Sequence, residues 1–118
     1  MALRNDTKGT VISNNLEMCS SAMSKSIGLM FSSSKRLEDN SLIFSFSSAR
    51  RWSLHMWFVS YPIDVLFLDE MNSVVEIKEC FRPFSFYKPQ QEAMYIIELR
   101  AGAVKDSLTS VGDNIGWS

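Results

Sequence analysis

From Leu42 onward, apolar and polar residues alternate with a period of two, the spacing of strands with a buried face. Leu42, Phe44 and Phe46 alternate with Ile43, Ser45 and Ser47, which predicts one strand, and Ser48 to Arg51 predicts the turn after it. A second strand is expected over Trp52 to Val59, with Leu54, Met56 and Phe58 on one side and Ser53, His55, Trp57 and Val59 on the other. Pro62 cannot donate to a ladder and marks a strand start. Ile63 to Leu68 then forms a near-continuous apolar run of the kind buried on both faces. Asp69 to Ser73 predicts a turn with Asn72 at positive φ. The return strand, Val74 to Cys80, sets Val75 and Ile77 against Glu76 and Lys78, the latter pair on the solvent side.

Phe81 to Gln91 holds Pro83 and Pro89 with Phe84, Phe86 and Tyr87 between them, an extended loop clamped by its aromatics. Ala93 to Leu99 resumes strand, and Ala103, Val104 and Leu108 predict a short helix within 101–110. Gly112-Asp113-Asn114 turns the chain into a last strand ending at Trp117. Ahead of Leu42, the groups Val11-Ile12 and Leu16 to Met18 suggest an edge hairpin. Ala22, Met23, Ile27 and Met30 share one helical face over Ser20 to Met30, and Ser32 to Ser41 is expected as solvated loop. Together these elements predict a single domain over 1–118, mainly β: an antiparallel β-sandwich or small jelly-roll-like barrel with one or two short helices.

Composition narrows the function classes. The formal net charge of −1 gives no general attraction to nucleic acid or an anionic membrane. No apolar run approaches the length that spans a bilayer. The polar start, Met1 to Lys8, does not read as a secretory signal, so cytoplasmic residence is the expectation. Cys19 and Cys80 lack metal-type spacing; two buried thiols acting as small apolar groups are expected, with a disulfide as the alternative.

Several segments, taken in order, resemble the family known as domain of unknown function 192. They are Gly28-Leu29-Met30-Phe31, Leu42 to Phe46, His55-Met56-Trp57-Phe58, Pro62-Ile63-Asp64-Val65-Leu66-Phe67-Leu68-Asp69, Tyr95 to Leu99, Ala101-Gly102 and Gly112-Asp113. The Pro62 to Asp69 run arriving soon after an aromatic Met-Trp strand is the most specific of these. The resemblance implies a compact β fold of jelly-roll or barrel type and no known activity. Many relatives carry Trp-Met-Lys-Asn-Thr where this chain has Met56-Trp57-Phe58-Val59-Ser60.

Chemistry-bearing residues are few. His55 is the sole histidine, which removes every metal site needing two, and neither metal nor cofactor is expected. His55 reads either as a hydrogen-bonded core residue or, with a partner, as a general base. Asp64, which interrupts an apolar strand, is that partner in a hydrolase-type reading with Ser53 or Ser60. The competing role for Asp64 is to cap backbone amides at the bend after Pro62. Asp69, Glu70 and Asp113 belong to turns, and Glu98 is expected to be solvated or salt-bridged. Arg50, Arg51, Arg82, Lys88 and Arg100 fall near strand ends among aromatics and, gathered at one rim, would hold a sugar, nucleotide or acidic peptide. Arg51, Trp57, Arg82 and Asp64 are therefore the candidate ligand-binding residues, and His55 with Asp64 the candidate catalytic pair. A non-enzymatic binding module for a small molecule, carbohydrate or peptide ranks first, the hydrolase second, and nucleic acid last.

Overall fold

A strand that is apolar on both sides needs a layer over each, and Ile63–Leu68, all six residues buried, has both. The computed structural model describes residues 1–19, 34–56 and 59–117. Its strands are β1 (Leu3–Asn5), β2 (Thr10–Ser13), β3 (Asn15–Cys19), β4 (Asn40–Arg50), β5 (Leu54–His55), β6 (Ile63–Leu68), β7 (Val74–Phe81), β8 (Phe86–Tyr87), β9 (Ala93–Arg100) and β10 (Ile115–Trp117). A 3₁₀ turn (Ser34–Leu37) and one helical turn, α1 (Ala103–Asp106), complete the described elements.

The central sheet has five strands in the order β3-β4-β9-β6-β7. On one face Leu42, Phe44, Val65, Phe67 and Ile96 pack beneath Leu54, Met56 and Tyr61 of the layer carrying β5 and β8. On the other, Ile43, Leu66, Leu68, Ile97 and Leu99 meet Leu3, Ile12 and Ile115 of the three-stranded sheet β10-β1-β2, together with Ala103 and Val104. The sheets stay open at their edges among the described residues, so the architecture is a layered sandwich and not a closed barrel. No helix among the described residues is long and apolar enough to cross a membrane.

Five local expectations are corrected. The groups at Val11 and Leu16 do not form a hairpin: β2 pairs with β1, whereas β3 runs parallel to β4 in the other sheet, which makes the central sheet mixed. β4 continues through Arg50, so Ser48 to Arg50 is strand and not turn. Ile43 is as buried as Leu42, because the small sheet covers the face that the serines suggested was wet. Among the described residues of Trp52 to Val59, only Leu54–His55 is strand, paired with Phe86 and Tyr87. In the presumed solvated loop, Leu37 is buried against the core. The helix expected over Ser20 to Met30 lies outside the described residues. The Asn72 turn is as expected, with φ of 64°.

Candidate functional site

The site begins at an irregularity between β6 and β7. Ile63 pairs with Phe81 but Val65 with Lys78, so β7 spends three steps where β6 spends two, a β-bulge. Within it Cys80 adopts φ of 52°, a left-handed conformation costly for any residue with a Cβ. The Cys80 amide, released from the ladder, donates to Asp64 Oδ1 at 3.0 Å. Asp64 Oδ2 accepts from the Gly102 amide at 3.1 Å and the Val104 amide at 3.0 Å. The Asp64 side chain, 1% exposed, thus caps backbone amides, though those of β7 and of the turn into α1 and not the bend after Pro62. Gly102, at φ of 94°, supplies the turn geometry that lets two amides converge on one oxygen. Because Cys80 holds a left-handed φ, Cys80→Gly is expected to be at least as stable as the parent. Cys80→Val, β-branched, should be less stable than Cys80→Gly by about 1–2 kcal/mol; equal urea midpoints for the two would show that this conformation stores no strain.

The bulge opens a concavity of about 200 Å³ lined by Lys78, Cys80, Phe81, Arg82, Ser85 and Phe86. Its outer wall is the 82–87 loop, tied to Met56 by two backbone bonds, Phe84 N–H to Met56 C=O and Met56 N–H to Ser85 C=O, each 2.8 Å. Tyr87 anchors the loop from below. Its ring lies 6.0 Å from Phe67 and 6.2 Å from Phe81, its hydroxyl donates to Glu76, and the Lys78 amine sits 5.3 Å from its centroid. Burial, and then the Glu76 carboxylate, push the Tyr87 hydroxyl up to about 12. Only Tyr87 is a clamp, however: Phe84 and Phe86 are each 65% exposed, against the expectation that all the aromatics pack under the loop.

The charge around this concavity is one-sided. Lys78 and Arg82 take part in none of the ion pairs among the described residues. The nearest carboxylates are engaged elsewhere. Glu76 accepts from Tyr87 and, at 2.9 Å, from the Gln90 and Gln91 amides, so it is not on the solvent side as expected. Glu79 lines a separate groove with Lys105 and Leu108.

The remaining candidates do not gather at one rim. Arg50 pairs with Ala93 at one end of β9 and Arg100 closes the other, roughly 23 Å apart at strand spacing. Arg51 sits at the Ala93 end, its Nε donating to Pro89 C=O at 2.8 Å, and Arg100 is paired with Asp106 at 2.8 Å. Of the four ligand-binding candidates, the structure brings Arg82 and Asp64 together around Cys80 and sets Arg51 apart. Trp57 and the His55 imidazole lie outside the described residues. Glu98 is 7% exposed, not solvated, because β9 is central and covered on both faces. Cys19 and Cys80 are free thiols; Cys19 is half-buried and Cys80 exposed, so neither matches the fully buried thiol expected. Burial, then Glu17 and Glu98, push the Cys19 thiol up. Lys78 went unrecognised as a site residue because nothing in a period-two pattern marks a bulge.

The family's sequence profile, described as an uncharacterised ACR, matches residues 3–117. The chain belongs to the DUF192 family. A UPF0127 protein of Thermococcus sibiricus is 35% identical over 98% of this chain and 73% of its own length. A UPF0127 protein of Pyrococcus furiosus is 31% identical over 97% and 96%. A protein of unknown function from Novosphingobium aromaticivorans shares the fold with a TM-score of 0.83 at 19% identity, covering 99% of this chain and 84% of that one. A candidate transcription regulator from Sinorhizobium meliloti 1021 superposes with a TM-score of 0.81 at 24% identity, covering 98% and 89%; this likeness too is one of fold. In this DUF192 chain two of the motifs that carry the resemblance, the Pro62 to Asp69 run and Ala101-Gly102, meet through the Asp64 carboxylate.

Proposed function

We propose that this DUF192 chain is a ligand-binding or interaction module without catalytic activity, and that it binds through the concavity between β7 and the 82–87 loop. The observation that carries this reading is the pairing of two cations that join no ion pair among the described residues, Lys78 and Arg82, with two phenylalanines held 65% exposed beside them. Exposed apolar groups next to uncompensated charge cost a domain solubility and contribute nothing to its core, and they suit recognition of an anionic, partly apolar ligand. Arg82 would make the ionic contact. Asp64 would act from behind, by fixing the bulge that turns Cys80 and Lys78 toward the opening.

A thermal-shift screen of sugars, nucleotides and peptides tests this. A ligand at a hundred times its Kd adds about 2.7 kcal/mol, roughly 10 °C for a chain of this size. Arg82→Ala should abolish the shift while leaving the unliganded midpoint in place, since Arg82 is exposed and joins none of the ion pairs among the described residues; Arg51→Ala, at the far end of β9, should retain it. Hits that survive Arg82→Ala and Phe86→Ser alike would remove the concavity from consideration.

A further inference from the structure

Resting on that reading, we infer that the occupant is a linear acidic peptide segment of a partner protein, one carboxylate seated between Lys78 and Arg82 and a neighbouring apolar side chain laid across Phe84 and Phe86. Two features select it over a sugar or a nucleotide, and a third over a neutral sugar. The concavity holds about 200 Å³, below the roughly 300–1,000 Å³ of sites that enclose a small molecule. A compact ligand filling it would leave Phe84, which is not part of its lining, as exposed as before, whereas an extended segment reaches both the basic opening and the apolar shelf. A neutral sugar would leave both cations unmatched; a carboxylate matches the arginine fork directly.

The nearby carboxylates explain why the chain does not satisfy this surface itself. Glu76 is held by Tyr87 and two amides, and Glu79 faces the groove of Lys105. The rigidity needed to present the shelf comes from the backbone bonds of Met56 to Phe84 and Ser85. Ordering costs on binding therefore fall mainly on the peptide.

The full chain should be panned against a displayed library of random heptapeptides, and the selected peptides measured by fluorescence anisotropy. Selected sequences should place Asp or Glu within two residues of Phe, Leu, Tyr or Trp. Arg82→Glu should weaken them at least about tenfold, as should replacing the peptide's acid by its amide, and affinity should fall with added salt. Circular dichroism melts of Arg82→Glu matching the parent exclude misfolding, and Lys78→Met offers a second, independent loss. Peptides without acids, or peptides that bind Arg82→Glu undiminished, overturn the inference. So does self-association of the chain that Arg82→Glu dissolves, which would make a second copy the occupant. In parallel, AMP and glucose 6-phosphate are tested by thermal shift. An Arg82-dependent shift with either, and no acidic peptide, keeps the binding module and discards the peptide; no binding in any arm discards both.

Discussion

Asp64→Asn is expected to lower the unfolding free energy by about 3–5 kcal/mol, from charge-assisted bonds worth roughly 1.5–3 kcal/mol each and the cost of leaving buried amides unpaired. The carboxylate accepts from Cys80, Gly102 and Val104, and it is 1% exposed, so no water can replace it. An amide side chain keeps one acceptor and turns an NH₂ toward donors, so whichever side it faces, at least one backbone N–H meets another donor. Urea denaturation followed by circular dichroism should show a lower midpoint with unchanged slope. Hydrogen exchange should show the Cys80, Gly102 and Val104 amides losing protection ahead of the β4–β9 ladder. A loss under about 1 kcal/mol would mean that these amides find other acceptors, and Asp64 would then be free for a role beyond the scaffold.

Asp113 gives the second large effect, and this one depends on pH. Its carboxylate joins the two ends of the chain: Oδ2 accepts from Lys8 Nζ at 2.7 Å, from Asn5 Nδ2 at 2.9 Å and from the Ser110 amide at 2.9 Å. Asn5 is wholly buried and its remaining donor contact is Thr109. The hydrogen bond from Lys8, then that from Asn5, hold Asp113 down to about 2, against an ordinary value of 3.8. The folded state therefore binds the proton less readily than the unfolded chain. The resulting stabilisation is complete above about pH 4, is lost as pH falls toward 2, and amounts to about 1–2 kcal/mol. Asp39, lowered by the Asn14 backbone amide, adds a slope of the same sign. Asp113→Ala should cost about 2–3 kcal/mol at pH 7 and flatten the fall between pH 4 and 2. Urea midpoints at pH 7, 4, 3 and 2 for parent and variant measure both; parallel curves would assign the acid sensitivity to other groups.

These two carboxylates also mark the boundary of what could be read from the chain. The sandwich class, β6, β7, β9, the Asn72 turn, the short helix and the last strand follow from local periodicity and turn chemistry. Asp64 was identifiable as unusual, because a charge inside an apolar run must find partners. Which partners it finds was not legible: Cys80 lies sixteen positions away, Val104 forty, and only the pairing register and the bulge bring them within 3 Å. Asp113 read as a turn residue, and it is one, yet its contact with Asn5 spans 108 positions.

The candidate site was half legible. Arg82 was singled out, but so were Arg51 and Arg100, and a sequence has no means of setting the two ends of β9 apart. Phe84 and Phe86 have the same composition as a buried clamp; only the backbone bonds to Met56 and the anchoring of Tyr87 turn them outward.

By itself, then, the order of apolar and polar residues determined that this chain folds as layered β-structure around Ile63–Leu68, since alternation and burial are local consequences of the pleat. Tertiary structure alone decided that β3 joins its sheet in parallel, that Glu98 is dry and that Lys78, Arg82 and Phe86 line one opening. Those outcomes depend on register and on a one-residue bulge. A shift of a single position inverts every side chain beyond it, and no local preference specifies where that shift falls.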